Sequence, residues 1–453
     1  MAGEPVGDTD YLWHLFPDGA ATFDDGEGGW FHTVNSEVFI PDAGGVSGIH
    51  YGADGQILDA YAVLTGSIAN CAGGPTPWGT WLSCEEDFLT DHGMVWECDP
   101  AGRADPVSHP AMGLWAHEAA AVDPVGEQVY LTEDNPEGLL YRYTPTAYPD
   151  LAAGLLEAAT VGADSVVAWT EVPDPSAAEV PTRQQLGEAT RFNGGEGCWY
   201  HDGVVYWTTK GDHSVHSIDL ASQTYSLVYR AVPDEVAAGT APLWGVDNMT
   251  VDAGTGDLFV AEDGGVMRVV VITPEGAVAP FLQVVGQDNS EITGPTFNPR
   301  RDRLYFSSQR GPSIKTLPEI NPAVTEGGPD GGITYEISGP FRGVEPEPVE
   351  TTTTSSSTSS TTTTTSTDAP APTEPPPTTI QSPTTTLAQV ATTDGAGADG
   401  DGADGGDGDD GNGALIGIGI GVAAVAAAGG ALLYLRNRGS ADDDVTDPND
   451  DVT

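Results

Sequence analysis

The sequence predicts an all-β head, a β-propeller of about six blades, followed by a disordered stalk and one C-terminal transmembrane helix. Three observations predict it. Short alternating or β-branched runs recur between Gly, Asp and Pro turns through residues 28–345. Four segments of that stretch share one plan, roughly 45 to 80 residues apart, near a propeller-blade period if the longer gap holds an insertion. After residue 345 the globular composition ends, and one uncharged apolar stretch stands alone among low-complexity sequence.

Residues 1–27 form a lead segment. It opens MAGEPVGDTDYLWHLFPDG, with neither a basic n-region nor an apolar h-region. An export signal is therefore expected upstream of this start, or already removed. Residues 28–345 carry the strand-like runs, among them SGIHYGADGQILDAYAVL, GLLYRYTP, HSVHSIDL, MRVVVITPEG and GITYEIS. A helical period shows only in LAAGLLEAAT, residues 151–160. The repeat is clearest in AAAVDPVGEQVYLTED, GCWYHDGVVYWTTKGD, DNMTVDAGTGDLFVAEDG and PTFNPRRDRLYFSSQRG. Each holds an apolar strand, a polar turn, a second apolar strand and then a polar or acidic residue.

Residues 346–413 form the stalk, a Thr/Ser/Pro run and then an Asp/Gly run. Neither has the apolar content to build a core. Residues 414–435, ALIGIGIGVAAVAAAGGALLYL, have the length and composition of a membrane helix. Arg436 and Arg438 follow, so the positive-inside rule puts the tail, residues 436–453, in the cytoplasm and the head outside. A single-pass, membrane-anchored protein with a monomeric extracellular head is expected.

The 453 residues include 15 basic and 68 acidic ones, a formal charge of −53. The flanks of the apolar segment hold only a minority of those acids, so the head itself is acidic. Such a surface repels nucleic acid and anionic membranes. The four cysteines, Cys71, Cys84, Cys98 and Cys198, lack zinc-site spacing. Cys98 and Cys198 are open to pairing or to remaining free thiols. No Gly-rich phosphate loop and no GxSxG run appears.

A propeller gathers equivalent strand ends around one channel. The acids that recur at those ends are Glu85 and Glu86 in SCEED, Glu133 and Asp134 in LTED, and Glu262 and Asp263 in VAED. Glu118 in WAHEAAAVD, Glu196 in NGGEGCW, and Asp247 with Asn248 in GVDNMTV join them. Carboxylates crowded without counter-charge repel and resist ionising. Bound hard cations remove that penalty. Any one acid is equally at home in a turn; the repeat aligns the set. Cys84 beside glutamates fits a transition metal better than calcium, although a buried inert thiol or a disulfide half explains it as well.

The runs GGVSGIHYGADGQILDAYAVLTGSIANCAGGPTPWGTWLSCEED, WAHEAAAVDPVGEQVYLTEDNPEGLLYRYTP, GVDNMTVDAGTGDLFVAEDGG and GPTFNPRRDRLYFSSQRG resemble the PhoX-type alkaline phosphatases. The resemblance spans roughly residues 28–340. It implies a six-bladed propeller with Fe3+ and Ca2+ on its axis, hydrolysing phosphate esters. Carried over by motif, Cys84 is the iron-ligating thiolate. Glu85, Glu118, Glu133, Asp134, Glu196, Asp247, Glu262 and Asp263 are the metal-ligating acids, and Asn70 and Trp81 shape the site. Larger members carry an Arg-Pro-Glu run whose arginine contacts phosphate. Here ATRFNGGEGCWY aligns Glu196 with that acid but puts Gly194 where the arginine would be. Arg191 is the nearest candidate, so Cys84, Glu196 and Arg191 form the expected catalytic set. The rival readings are a non-catalytic, metal-stabilised binding or adhesion propeller on a stalk and, last, a calcium-dependent lactonase.

Overall fold

The computed structural model describes residues 1–87, 92–288, 290–311, 331–339 and 341. The stalk, the apolar segment 414–435 and the tail lie outside the described residues. Among the described residues no helix is long and apolar enough to cross a membrane.

Six antiparallel sheets follow one another along the chain as six blades. Blade one is β1 (Pro17–Asp24), β2 (Trp30–Ser36), β3 (Gly44–Tyr51) and β4 (Ile57–Ser67). Blade two is β5 (Gly74–Pro75), β6 (Trp81–Cys84), β7 (Val95–Cys98) and β8 (Val107–Ser108). Blade three has five strands: β9 (His117–Asp123), β10 (Gln128–Glu133), β11 (Leu140–Ala147), β12 (Asp150–Val161) and β13 (Val167–Glu171). Blade four is β14 (Gly195–His201), β15 (Val204–Thr209), β16 (Ser214–Asp219) and β17 (Thr224–Arg230). Blade five is β18 (Val246–Val251), β19 (Leu258–Glu262), β20 (Arg268–Ile272) and β21 (Val278–Gln283). Blade six is β22 (Ile292–Phe297), β23 (Arg303–Ser308) and β24 (Ile333–Ser338).

The propeller expected from the repeats is thus observed, with six blades. Residues 151–160 are a correction. They lie within β12, paired to β11 on one side and β13 on the other. Ladder bonds on both edges outweigh the helix preference of Leu and Ala there.

The first strand of each blade is the innermost. β1 meets β5, β5 meets β9, β9 meets β14, β14 meets β18, β18 meets β22, and β22 returns to β1. Small residues allow this approach. A Cβ on Gly19 would lie 1.9 Å from the Ala72 carbonyl oxygen, and one on Gly74 would lie 1.7 Å from that of Ala120. Side-chain hydroxyls tie the ring from blade to blade. Thr132 donates to the Glu196 carbonyl at 2.6 Å, Thr208 to that of Asp247 at 2.6 Å, and Thr293 to that of Pro17 at 2.7 Å. The lead segment fastens the closure. Ala2 and Phe16 donate backbone N–H groups to Gly332 and Gly331, and the Trp13 indole donates to Thr334 at 3.1 Å. Apolar cores fill the spaces between blades; Trp30 of blade one and Tyr305 of blade six, for example, share one cluster.

Candidate metal centre

One register position repeats in all six blades. Its pairs are Pro17 with Ser36, Asn70 with Glu85, His117 with Glu133, Gly195 with Thr209, Val246 with Glu262, and Ile292 with Ser308. The next residues on the innermost chain are Asp18, Cys71, Glu118, Glu196, Asp247 and Thr293. The next on the second strand are Glu37, Glu86, Asp134, Lys210, Asp263 and Gln309. In blades one, three, four, five and six the ladder register slips just past this pair. Such bulges re-aim side chains.

Nine of these and neighbouring residues, drawn from all six blades, converge. Asp18, Cys71 and Glu118 bring one ligand atom each within 4.8 Å of one another. So do Glu37, Cys71 and Glu86; Asp18, Glu37 and Glu291; Glu118, Glu196 and Asp247; and Asp247, Asp263 and Glu291. The groups share members and so form one continuous ring of donors. Lys210 Nζ lies 2.7 Å from Glu196 and 3.6 Å from Asp134. Arg310 lies 2.9 Å from Glu291 and 3.7 Å from Asp263. The Gln309 amide donates to Asp18 at 2.6 Å and also to Glu37.

Burial drives the electrostatics. Asp18, Glu86, Glu118, Glu196 and Glu291 are all held well above the usual carboxylate range, first by desolvation. For Asp18, Glu86 and Glu118 the next cause is another carboxylate of the cluster, and for Glu196 it is Asp134 beside it. Asp247 is pushed up to about 6, by burial first. The Cys71 thiol is pushed up by burial and then by Asp18 and Glu118. Burial opposes the charge on Lys210, yet Glu196 and Asp134 keep its pKa well above the ordinary value. Without cations these acids must share protons or repel.

Of the acids expected to converge, Asp247, Asp263, Glu118 and Glu196 fall in the ring. Glu85, Glu133 and Glu262 do not. Neighbouring residues on a strand face opposite ways, so only the second acid of each pair can reach inward. The first pairs inside its own sector. Glu85 takes the Met94 N–H at 3.1 Å and lies 4.0 Å from His92. Glu133 holds Arg183 at 2.8 Å and the Tyr141 hydroxyl at 2.9 Å. Glu262 is gripped by Arg268 through two nitrogens, at 2.6 and 2.8 Å. Asp134 lies at the repeat position, paired with Lys210, but belongs to none of the donor groups.

Cys84 is the main correction. Its side chain is fully buried among Leu82, Val95, Met112 and Trp115, and burial pushes its thiol up. Cys71 stands in the ring instead, at the point where four other blades place an acid. Cys84 helps only through its backbone, accepting the Cys71 N–H at 2.9 Å. A buried polar network fixes the Cys71 backbone. Asn35 donates to the Cys71 carbonyl at 2.5 Å and accepts from the Trp81 indole at 2.8 Å and the Ser83 hydroxyl at 2.9 Å. Asn70 joins through Ser83 at 2.9 Å. Asn70 and Trp81 thus belong to the network around the Cys71 backbone.

Arg191 is exposed and donates to the carbonyls of Arg183, Glu137 and Leu186. His117 packs on Trp115 and is bonded to the Gly113 carbonyl at 3.0 Å. All four cysteines are free and buried. Sequence reading missed Asp18, Glu37, Cys71 and Glu291. A signal exists for two of them: PDGA and NCAG repeat the plan of HEAA and GEGC, a donor followed by a small residue. A cavity of about 220 Å³ lies apart from the ring, near the far end of β9, lined by Pro75, Pro77, Val122, Trp199 and Tyr200 among others. None of its lining residues is charged.

A family model described as alkaline phosphatase PhoX matches residues 42–238. These residues are PhoX-family sequence. The matched stretch runs from β3 into the segment after β17 and includes Cys71, Glu86, Glu118 and Glu196. The other five donors come from outside it. Pseudomonas fluorescens PhoX in complex with vanadate, a transition state analogue, superimposes with a TM-score of 0.58 at 18% identity, covering 72% of this chain and 88% of that one. The shared six-bladed fold is therefore that of PhoX. A Xanthomonas campestris gluconolactonase reaches only 0.40 at 13% identity, over 64% of this chain and 82% of its own. An Agrobacterium tumefaciens calcium-binding regucalcin reaches 0.36 at 15%, over 71% and 90%. No curated protein matches the sequence.

Proposed function

We propose that the protein is a metal-dependent phosphoesterase of the alkaline phosphatase type, acting on phosphate esters at the axial ring. The observation that carries this reading is the convergence of eight carboxylates and one thiol from six blades. The donor set fits the implied metals. Glu118 Oε1 is buried without a hydrogen-bond partner, and only Lys210 and Arg310 bring positive charge to the donors among the described ion pairs. The half containing Asp18, Glu37, Cys71, Glu86 and Glu118 offers a thiolate among oxygens, which suits Fe3+. The half containing Glu196, Asp247, Asp263 and Glu291 offers oxygen alone, which suits Ca2+.

Bound there, such ions would neutralise phosphate oxygens and lower the pKa of a water. The chain's own residues do the positioning. Gln309 fixes the Asp18 and Glu37 carboxylates. The Asn35 network holds the Cys71 backbone. The bulges turn the acids inward, and the outward acids Glu133 and Glu262 brace their own blades. An acidic surface that took phosphate without cations would repel its substrate. Released phosphate from p-nitrophenyl phosphate, lost on chelation and restored by added iron and calcium, is the expected result. Metal-loaded protein inert toward monoesters and diesters would end the reading.

A second reading, a non-catalytic binding propeller, draws on one observation: the described hydrogen bonds of Arg191 go to backbone carbonyls and not to the ring donors. Metals would then stabilise the fold without turnover. Under either reading we place a monomeric head at the cell surface. Residues 414–435 and the arginines after them support a single membrane helix. Protease shaving of intact cells that spared the head would contradict this.

A further inference from the structure

We propose that Lys210 and Arg310 are the phosphate-receiving cations of the ring, the specificity residues for a dianionic substrate. This rests on the phosphoesterase reading and extends it. Three observations carry it. First, the chain has only two lysines, Lys210 and Lys315, and one of them stands at the register position that blades one, two, three and five give to Glu37, Glu86, Asp134 and Asp263. Blade six has the neutral Gln309 there, and blade four alone carries the opposite charge. Second, Lys210 and Arg310 flank blade five from either side. Lys210 reaches Glu196, and Arg310 reaches Glu291 and Asp263. Third, each side chain keeps about a quarter of its surface exposed, 26% and 25%, whereas Glu196 and Glu291 beneath them are 2% and 6% exposed. The two cations thus form a rim between the buried acids and solvent.

Their present partners are also the candidate metal ligands. A carboxylate cannot give the same lone pairs to a cation and to an ammonium. When ions enter the ring, Lys210 and Arg310 lose much of their counter-charge while staying beside new positive charge. A phosphate group arriving from solvent supplies what both lack, and a guanidinium is shaped to grip two of its oxygens. Gly194 leaves the space open: a Cβ there would meet Asp134 at 3.1 Å and the Lys210 Cβ at 3.6 Å.

The test uses the metal-loaded full chain with Lys210→Met, Lys210→Arg and Arg310→Gln. Inorganic phosphate binding is read by calorimetry, KM and kcat on p-nitrophenyl phosphate by assay, and iron and calcium by elemental analysis. Lys210→Met and Arg310→Gln should each weaken phosphate binding about tenfold or more and raise KM alike, with metal content kept; Lys210→Arg should restore most of the affinity. Unchanged phosphate affinity at full metal content would overturn the proposal while leaving the phosphoesterase reading standing. Cation-dependent phosphate binding without turnover would support the proposal and defeat that reading. If Lys210→Met does not fold, Arg310→Gln alone decides by the same criterion.

Discussion

Stripping metal from the ring should make the protein prefer acid. Six of the donors, Asp18, Glu86, Glu118, Glu196, Asp247 and Glu291, are carboxyl groups whose folded pKa values lie above their unfolded ones. The folded state therefore binds more protons, and stability falls as pH rises through that window. Asp247 sets the scale. It moves from 3.8 to about 6, roughly two units at about 1.4 kcal/mol each, or about 3 kcal/mol. That contribution is fully present below about pH 4 and gone above about pH 6. Asp18, Glu86, Glu118, Glu196 and Glu291 shift the same way and extend the loss toward higher pH. Bound cations reverse the sign, because they take the deprotonated form. The assay is urea unfolding at pH 5 and pH 8, with and without chelator. Chelated protein should be more stable at pH 5 by several kcal/mol, and metal-loaded protein more stable at pH 8. Surface repulsion in so acidic a chain acts in the same direction, but salt screens it and a buried cluster much less. Asp247→Asn should therefore flatten the chelated difference between pH 5 and pH 8 by about 1.5 kcal/mol, about half of its full contribution, at high salt as well as low. A chelated protein equally stable at both pH values, or a slope indifferent to Asp247→Asn, would refute the reasoning.

Other outcomes follow from the same geometry. Cys71→Ser should lose iron and keep the fold, whereas Cys84→Ser should keep iron and cost about 1–3 kcal/mol for an unpaired hydroxyl in an apolar cluster; elemental analysis and urea midpoints separate them. Gly74→Ala should cost about 1–3 kcal/mol or more, since its Cβ would strike the Ala120 carbonyl. Gly187→Ala, with open space around it, should stay within about 0.5 kcal/mol. Asn35→Ala should cost at least about 2 kcal/mol by stranding the Trp81 indole and the Cys71 carbonyl, and should weaken metal retention in a chelator competition.

The propeller was legible because its repeat is a repeat of strands and turns, and those have local signatures. The converging acids were only partly legible. ED pairs mark where the second strand ends, but composition does not say which acid of a pair faces inward; strand alternation and bulges decide that, and they sent Glu133 and Glu262 outward. Cys84 misled for the same reason. It is beside the acids in sequence and on the opposite face of β6 from the polar network of Trp81 and Ser83. Cys71 lies thirteen residues earlier and is brought in by the pairing of Asn70 with Glu85. Blade one hid Glu37 because its second strand ends in Ser-Glu rather than in two acids, and blade six supplies Glu291 from the residue just before its first strand, outside the repeated strand-end position. β12 was obscured by leucine and alanine, which carry no strand signature until neighbouring strands supply one.

Elemental analysis of the protein purified without added metal, run beside Cys71→Ser, tests the central claim most directly. The wild type should carry iron and calcium together, and Cys71→Ser should retain calcium while losing iron. A folded wild-type protein holding neither metal, even after incubation with both, would contradict the account.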